Sequence, residues 1–300
     1  MHQKLVRADF KPHFYSTDAI KISDCAVDFF KLRGDGEEGD SFITFPYTDE
    51  NTVNDFIAYL NERIPEFTSE QLDALRAVYN GPVHARSGNQ IFSGLPIGSE
   101  IFCTYMTKDV DHPRCGERWL NRYFGFDFDL TKFDFAEDYD KLFLDFAPHY
   151  SANNPNLSEF MKRGGKLLSY SGAQDRSGSF ADTLKYYNRV CERLGGYEIT
   201  SSFFRHFTLP GKAHGNQGRG ANVYWGRDEN QSIFEALRQW CITGVAPEYL
   251  TVGHEIKETD GGTSYSFIRR VYPYRADMIE GKNFPKTTDE KYLNAPQYKE

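Results

Sequence analysis

The first third of the chain contains two segments in which apolar residues recur at helical spacing. The first segment starts at Thr52, and its apolar residues share one face of a helix: Phe56, Tyr59 and Leu60. The second starts at Thr68 or Ser69, where the nearby Gln71 suits a capping box, and stops at the Gly81-Pro82 break. Its apolar stripe is formed by Leu72, Leu75, Val78 and Tyr79. The pattern predicts two successive helices.

Two further stretches of the first half, residues 117–126 and 133–146, are aromatic and helical in pattern. Residues 1–55 show no such pattern, and glycine and acidic residues cluster at positions 34–40. This cluster lacks the alternating ligand spacing of an EF-hand calcium loop, so we expect a solvated turn there. The first half is therefore predicted to be mainly helical.

The second half of the chain alternates between strand and helix. Strands are predicted at residues 166–170 and 202–209, and amphipathic helices at 179–194 and 232–243. Such alternation is typical of α/β proteins, in which a helix crosses over between parallel strands. We expect the two strands to be parallel neighbours, with the helix at 179–194 as their crossover. We place a domain boundary near residue 135.

Composition narrows the range of partners. The chain has 300 residues, of which 39% are hydrophobic and 16% aromatic, and its formal net charge is −8. Nucleic acid and anionic membranes both require a cationic face, so neither is an expected partner. No apolar run approaches the roughly 18 residues that would span a bilayer. The N-terminal residues contain no apolar h-region, so no secretion signal is expected.

Five cysteines are scattered along the chain: Cys25, Cys103, Cys115, Cys191 and Cys241. Their odd number, and the lack of CxxC or Cys/His spacing, argue against a disulfide framework and against a zinc site. At most one pair, such as Cys103 and Cys115, would form a disulfide. We expect free thiols packed as small apolar side chains, and no bound metal.

Two residues with acid–base chemistry follow the two predicted strands. Asp175 comes after the first strand and a turn of small residues, and His214 comes after the second strand and a Pro-Gly turn. Because parallel strands end at the same edge of a sheet, we expect Asp175 and His214 to converge within hydrogen-bond reach. In α/β-hydrolases the triad follows the chain order nucleophile, acid, histidine, which makes these residues candidates for the last two members.

The first member of such a triad is missing from the sequence. A nucleophile elbow requires Gly-x-Ser-x-Gly or a near variant, and no serine upstream of Asp175 stands in that pattern. Ser93 and Ser99 are predicted in turns with no helical pattern directly behind them, and Ser171 in the loop that carries Asp175.

Other candidate residues have ordinary structural explanations. His206 lies within the second apolar strand, so a structural role is expected. Four aromatic residues would either hold an aromatic acyl group or form the core of a helical lid: Trp119, Tyr123, Phe124 and Phe126. The glycines around His214 are not a phosphate-binding loop, because no Gly-Lys-Ser/Thr follows them.

These residues, together with several longer segments, resemble the tannase/feruloyl esterase family of α/β-hydrolases. The resemblance extends over roughly residues 65–290. The matching segments are residues 72–82 with 88–100 (the family's lid), 153–158 with 163–168 (the approach to the acid strand), and 246–248, 270–274 and 283–284 (the C-terminal tail).

The resemblance implies an α/β fold made of the C-terminal part of an α/β-hydrolase sheet and a lid-like, mainly helical N-terminal region. Residues 1–135 would be the lid-like region and residues 136–300 the C-terminal part of the catalytic domain. Asp175 would be the triad acid and His214 the base. The implied activity is hydrolysis of small-molecule esters of aromatic acids, galloyl or feruloyl in type, with no cofactor.

Two departures from the family qualify that activity. The family joins a cysteine beside its serine to a cysteine directly after its histidine by a disulfide, whereas Gly215 follows His214 here. The family's calcium loop before the Leu72 helix is not reproduced. Because the family's nucleophile lies upstream of its lid, we expect 1–300 alone to hydrolyse aryl and feruloyl esters little or not at all.

Three explanations for the missing nucleophile remain open from sequence: a truncated gene product, one chain of an enzyme whose second chain supplies the nucleophile, or a degenerate copy. The alternative function is a non-catalytic binding or assembly module that retains the hydrolase fold. In either case an exposed sheet edge would make the isolated chain prone to aggregation or dependent on a partner.

Overall fold

The computed structural model describes residues 7–8, 11–12, 14–46, 49–102, 115–129, 132–215 and 217–275. Two compact units divide the chain: the first is Met1–Phe29 with Tyr47–Ala152, and the second is Phe30–Pro46 with Asn153–Glu300. The boundary predicted near residue 135 falls within the first unit. The lid-like role of 1–135 and the catalytic role of 136–300 stay predictions.

The first unit is mainly helical. Its elements are the short antiparallel strands β1 (Arg7–Ala8) and β2 (Lys11–Pro12), most of α1 (Ser16–Leu32), then α2 (Glu50–Arg63), α3 (Ser69–Asn80), a 3₁₀ turn at Glu100–Phe102, α4 (Cys115–Phe124) and α5 (Glu137–Tyr150). Helix α1 was missed at the sequence level. Its buried residues Ala19, Ile22 and Ala26 are spaced at three and four, which is the signal that would have identified it.

Helices α2 and α3 confirm the two predicted from periodicity. The Asp49 carboxylate accepts a hydrogen bond from the Thr52 backbone N–H, which caps α2. At the start of α3, Thr68 and Gln71 form a complete capping box, with each side chain accepting from the other's backbone N–H. Local capping and a buried apolar face therefore define both helices.

The second unit contains the parallel strands. Its elements are α6 (Ser158–Lys162), β3 (Leu167–Gly172), α7 (Phe180–Leu194), α8 (Tyr197–Ser201), β4 (Phe204–Leu209), β5 (Val223–Trp225), α9 (Ile233–Thr243), β6 (Leu250–Lys257) and β7 (Thr263–Val271). Strands β3 and β4 are parallel, with α7 and α8 between them in the chain. The predicted pair of parallel neighbours and their crossover helix are confirmed.

A second sheet in this unit is antiparallel and has the order β5-β6-β7. No sequence pattern predicted it. Its inward-facing residues share a core with β4 and with one phenylalanine from the N-terminal part of the unit; the buried members of that core are Phe42, Phe207, Leu209, Ala221, Leu250, Val252, Phe267 and Val271. This core supports β4, and therefore the loop that follows β4.

The glycine-rich acidic segment at 34–40 turns at the surface as predicted, with Gly34, Glu38 and Gly39 exposed, but its last carboxylate is not solvated. The carboxylate of Asp40 is buried and forms a two-point ion pair with the Arg269 guanidinium, with Nη1–Oδ2 at 2.6 Å and a second contact from Nη2 to Oδ1. The guanidinium also lies 4.5 Å from the centre of the Phe267 ring and 5.3 Å from that of Phe42. Asp40 therefore anchors the end of this turn in the folded core.

Within the described residues, no cluster of three or more His, Cys, Asp and Glu side chains is arranged to hold a metal ion. None of the helices in the described part of the chain is long and apolar enough to cross a membrane. Of the cysteines, Cys25, Cys191 and Cys241 are free thiols, and Cys241 is exposed rather than packed as expected. The side chains of Cys103 and Cys115 lie outside the described residues.

Candidate active site

Asp175 is held in a tight turn directly after β3. Its backbone N–H donates to the Gly172 carbonyl at 3.2 Å. Its carboxylate oxygen Oδ1 accepts from the backbone N–H groups of Ser177 at 2.7 Å and Gly178 at 3.2 Å. The backbone of the residues that follow Asp175 therefore orients its carboxylate.

His214 lies in the loop that leaves the end of β4. The loop turns at Gly211, whose φ of +58° and whose close approach to the Phe42 ring leave no room for a Cβ. It then folds back on itself, since Ala213 donates to the Gln217 carbonyl at 2.9 Å. The backbone N–H of Gly211 donates to the Ile43 carbonyl at 3.1 Å, which ties the loop to the segment that carries Asp40.

The two turns bring Asp175 and His214 into direct contact. The distance from His214 Nδ1 to Asp175 Oδ2 is 3.0 Å, and that to Oδ1 is 3.2 Å. The His214 side chain is 60% exposed, and that of Asp175 is 18% exposed. The predicted convergence at the ends of β3 and β4 is confirmed as geometry. The assignment of Asp175 as triad acid and His214 as triad base stays a prediction.

This contact determines which ring nitrogen of His214 carries the proton in the neutral imidazole. A carboxylate beside Nδ1 favours the tautomer in which Nδ1 carries the proton and donates it to Asp175. The basic nitrogen is then Nε2, on the side of the ring turned away from the carboxylate. An exposed imidazole oriented in this way is suited to accept a proton from a hydroxyl group and to return it to a leaving alcohol.

Beside the pair, one hydrogen bond connects the same two turns and another joins β3 to β5. Arg176 donates from Nη1 to Gln217 Oε1 at 2.9 Å. Tyr170 on β3 donates from its hydroxyl to that of Tyr224 at 3.1 Å, and this bond is the main cause that raises the pKa of Tyr170 to about 12. Sequence reasoning missed these links, because each joins residues more than thirty positions apart.

His206 lies on β4, the strand that precedes the loop of His214, but its environment is different. Its ring is fully buried, with Nδ1 2.9 Å from Ser169 Oγ and Nε2 3.1 Å from Ser171 Oγ. Burial lowers the pKa of His206 to about 3. The arrangement suits the structural role expected for it. Ser171 lies in β3 and not in the loop of Asp175, which corrects its predicted position.

The aromatic residues proposed for acyl binding belong to the first unit. Tyr123 and Phe124 pack edge to face at 4.7 Å, and Phe124 stacks on Phe128 at 4.5 Å. Phe126 is 83% exposed, and the side chain of Trp119 lies outside the described residues. Tyr123 and Phe124 thus pack within a local aromatic cluster, as the lid-core alternative expects, and an acyl-binding role stays a prediction.

The serines considered as nucleophiles offer no elbow in the structure. Ser93 and Ser99 are buried in the first unit, with Ser99 immediately before the 3₁₀ turn at Glu100–Phe102. Ser171 faces His206 from β3.

The residue that sequence reasoning missed in the site itself is Lys212. Its signal was a lysine placed between the Pro-Gly turn and His214, in a loop otherwise made of small residues.

Comparison with known proteins identifies relatives of the chain. A family model described as tannase and feruloyl esterase matches residues 60–291. A probable feruloyl esterase B-2 of Aspergillus fumigatus is 30% identical over 227 residues, which cover 71% of this chain and 42% of the relative. Feruloyl esterase B of Aspergillus niger is 32% identical over 142 residues, covering 44% of this chain and 27% of the relative.

Solved structures agree with the fold. An esterase from Aspergillus oryzae matches with a TM-score of 0.68 at 22% identity, over 91% of this chain and 55% of the other. Tannin acyl hydrolase from Aspergillus niger matches with a TM-score of 0.64 at 15% identity, over 90% of this chain and 57% of the other. The chain thus spans about half of the length of each of these solved structures, and 42% of that of the Aspergillus fumigatus relative.

Proposed function

The chain belongs to the tannase and feruloyl esterase family, and we propose from this premise that it supplies the acid and the histidine of a serine carboxylesterase. The observation that carries the proposal is the 3.0 Å contact between His214 Nδ1 and Asp175 Oδ2, formed by turns at the ends of two adjacent parallel strands. Acid and histidine on successive strand-end loops are the arrangement that this class of hydrolase uses.

Each residue has one role in the proposed reaction. His214 takes the proton of a serine hydroxyl through Nε2 as the serine attacks the ester carbonyl, and then returns it to the leaving alcohol. Asp175 keeps the proton of the imidazole on Nδ1 and stabilises the imidazolium that forms. The substrates we propose are small-molecule esters of aromatic acids, in keeping with the names of the relatives. No cofactor takes part.

The nucleophile has to come from outside the segments that match in this chain. No serine in the 300 residues stands in Gly-x-Ser-x-Gly, and the Aspergillus fumigatus relative is matched over only 42% of its length. We place the serine, and the oxyanion donor that follows it, in the part of the family that this chain does not cover. That part belongs either to the same polypeptide or to a second chain.

Ester hydrolysis tests the proposal in two stages. Residues 1–300 alone should hydrolyse methyl ferulate no faster than background. Joined to the nucleophile-bearing part of the Aspergillus fumigatus relative, or to the sequence encoded upstream of its own gene, the chain should become active. His214→Ala should then abolish turnover, and Asp175→Asn should lower kcat by roughly four orders of magnitude.

His149→Ala is the matched control, because it removes an exposed histidine on α5 of the first unit and should leave turnover unchanged. Turnover that survives His214→Ala would exclude His214 as the base. Turnover by residues 1–300 alone, abolished by His214→Ala, would instead mean that the nucleophile is a serine within this chain.

A non-catalytic binding or assembly module is the second candidate function. It is favoured by the missing elbow and by Gly215, where the family has a cysteine. The genomic sequence upstream distinguishes the two candidates. A Cys-Ser-x-Gly-Gly elbow encoded in frame would support the esterase, and an upstream region without one would support the module.

A further inference from the structure

Lys212 is a buried lysine in the loop that carries His214. It is 5% exposed and lies two residues before the histidine. Its ammonium group Nζ donates to the carbonyl oxygen of Gly215 at 2.5 Å, so it bonds the residue directly after His214. It also lies 5.0 Å from the centre of the Tyr224 ring. The side chain therefore joins a residue before His214 to the residue after it, on the buried side of the loop.

The backbone of the same lysine bonds the other turn. The Lys212 carbonyl accepts a hydrogen bond at 2.9 Å from the N–H of Gln174, the residue directly before Asp175. Gly172, at the end of β3, makes this approach possible, because a Cβ there would lie 2.4 Å from the Lys212 oxygen. One residue thus bonds the neighbours of both Asp175 and His214.

The ammonium group of Lys212 is buried without a directly paired carboxylate among the described residues. Its direct partners are a carbonyl oxygen and an aromatic ring. Burial lowers the pKa of the Lys212 ammonium, and the negative charge of Asp175 acts in the opposite direction. Burying an ammonium group in this way is costly, whereas an apolar side chain would fill the same space without that cost.

We propose that Lys212 is a positioning residue: its ammonium group holds the His214 loop closed onto Gly215, which keeps the Lys212 carbonyl on the turn of Asp175 and the imidazole against the carboxylate. The importance of this geometry for catalysis rests on the proposed function. The geometry itself does not, because the contact between the two side chains can be measured in the 300-residue protein without any substrate.

The main test variant is Lys212→Met, which keeps the unbranched apolar stem and removes the donor. In NMR spectra of protein labelled with ¹⁵N-histidine, the Nδ1–H signal of His214 should broaden or disappear. The signal is assigned by its loss in His214→Gln. The Ala213 amide, which donates to the Gln217 carbonyl across the loop, should exchange with solvent about tenfold faster or more.

Lys166→Met is the matched control. Lys166 also donates from Nζ to a backbone carbonyl, that of Ser202 at 3.1 Å, and also lies over an aromatic ring, that of Trp240 at 5.5 Å. It does not contact Asp175, His214 or their neighbours in sequence. Lys166→Met should leave the His214 signal and the Ala213 exchange rate unchanged, while Lys212→Arg, which retains a cationic donor, should restore part of both.

Gly172→Ala keeps the test decisive if Lys212→Met fails to fold. The added methyl group forces the turn of Asp175 away from the Lys212 carbonyl without touching the charge, and the His214 signal should weaken in the same way. A folded Lys212→Met protein with an unchanged His214 signal and an unchanged Ala213 exchange rate would overturn the proposal.

The joined, active enzyme separates this proposal from the proposed function. Lys212→Met should lower kcat for methyl ferulate by up to about 10²-fold with KM little changed, because misplacing a catalytic group affects the transition state more than substrate binding. If the NMR effects occur and the joined enzyme is inactive with the wild-type chain, the positioning role stands and the esterase function does not. A fall in kcat of equal size in Lys166→Met would overturn the positioning role.

Discussion

Two carboxylates of the second unit each form an ion pair, and the two pairs differ in almost every other respect. Asp40 and Arg269 have side chains that are 3% and 2% exposed, and they meet through two hydrogen bonds. Asp175 and His214 have side chains that are 18% and 60% exposed, and a single ring nitrogen contacts the carboxylate. The first pair is removed from water, and the second is open to it.

The difference corresponds to what each partner can do. An arginine guanidinium matches a carboxylate in two places, so Asp40–Arg269 holds the segment that carries Asp40 against β7. His214 meets the Asp175 carboxylate through Nδ1 alone, and the exposure of its ring leaves Nε2 available to a reacting group.

The histidines of this unit show the same contrast. The ring of His206 is enclosed by two serine hydroxyls and stays neutral, because burial lowers its pKa to about 3. His214 lies one strand-end loop further along the chain and faces solvent. Whether a histidine of this unit is available to a reacting group thus depends on its position, in a buried strand or in an exposed loop.

The largest effect on stability is expected from Asp40→Asn. The substitution removes the buried counter-charge of Arg269 and leaves the partly exposed Glu37 carboxylate, 3.6 Å from Arg269 Nη2, so the free energy of unfolding should fall by about 3–4 kcal/mol. Urea unfolding followed by circular dichroism measures it. Glu235→Gln, which breaks the exposed pair with Arg238, is the control and should leave stability nearly unchanged. Equal effects of the two substitutions would mean that burial does not distinguish the pairs.

An intermediate effect is expected from the titration of His206. The folded protein holds this histidine neutral, with its pKa lowered from 6.5 to about 3, whereas the unfolded chain binds the proton near its ordinary pKa. The unfolded state therefore takes up more protons as pH falls, and the stability contributed by this group is lost from about pH 6.5 downward. Between pH 7 and pH 4.5 the loss should be about 2–3 kcal/mol.

Comparison with His206→Gln isolates that contribution, since glutamine fills a similar space and does not titrate. The variant is expected to be less stable than the wild type at pH 7, but its further loss on acidification should be smaller by about 2–3 kcal/mol. Urea midpoints at the two pH values give both quantities. The same acid dependence in both proteins would show that His206 is not held neutral by burial.

The smallest effect on stability is expected from Asp175→Asn. The asparagine oxygen can still accept from Ser177 and Gly178, and an exposed pair contributes little, so the change should stay below about 1 kcal/mol. The same substitution should nearly abolish hydrolysis in the joined enzyme. A destabilisation as large as that of Asp40→Asn would place Asp175 among the structural pairs and remove the contrast between the two sites.

Local patterns in the sequence were sufficient for part of this structure. Helices α2 and α3 were predictable because their caps and apolar faces lie within a few residues of one another. Strands β3 and β4 and their crossover were predictable from alternation along one stretch of chain. Asp175 and His214 were found for the same reason: each follows a strand and a turn whose composition can be recognised locally, and parallel strands necessarily end together.

Only the tertiary structure decided the rest. Asp40 and Arg269 are 229 positions apart, and nothing near Asp40 in the sequence indicates that this carboxylate, alone in an otherwise surface turn, will be buried. The packing of the β5-β6-β7 sheet with β4 and the bond from the Gln174 N–H to the Lys212 carbonyl likewise join residues that are distant in the sequence. Contacts of this kind depend on which helices and strands pack together in the folded core. A local pattern of apolar and polar residues does not specify that packing.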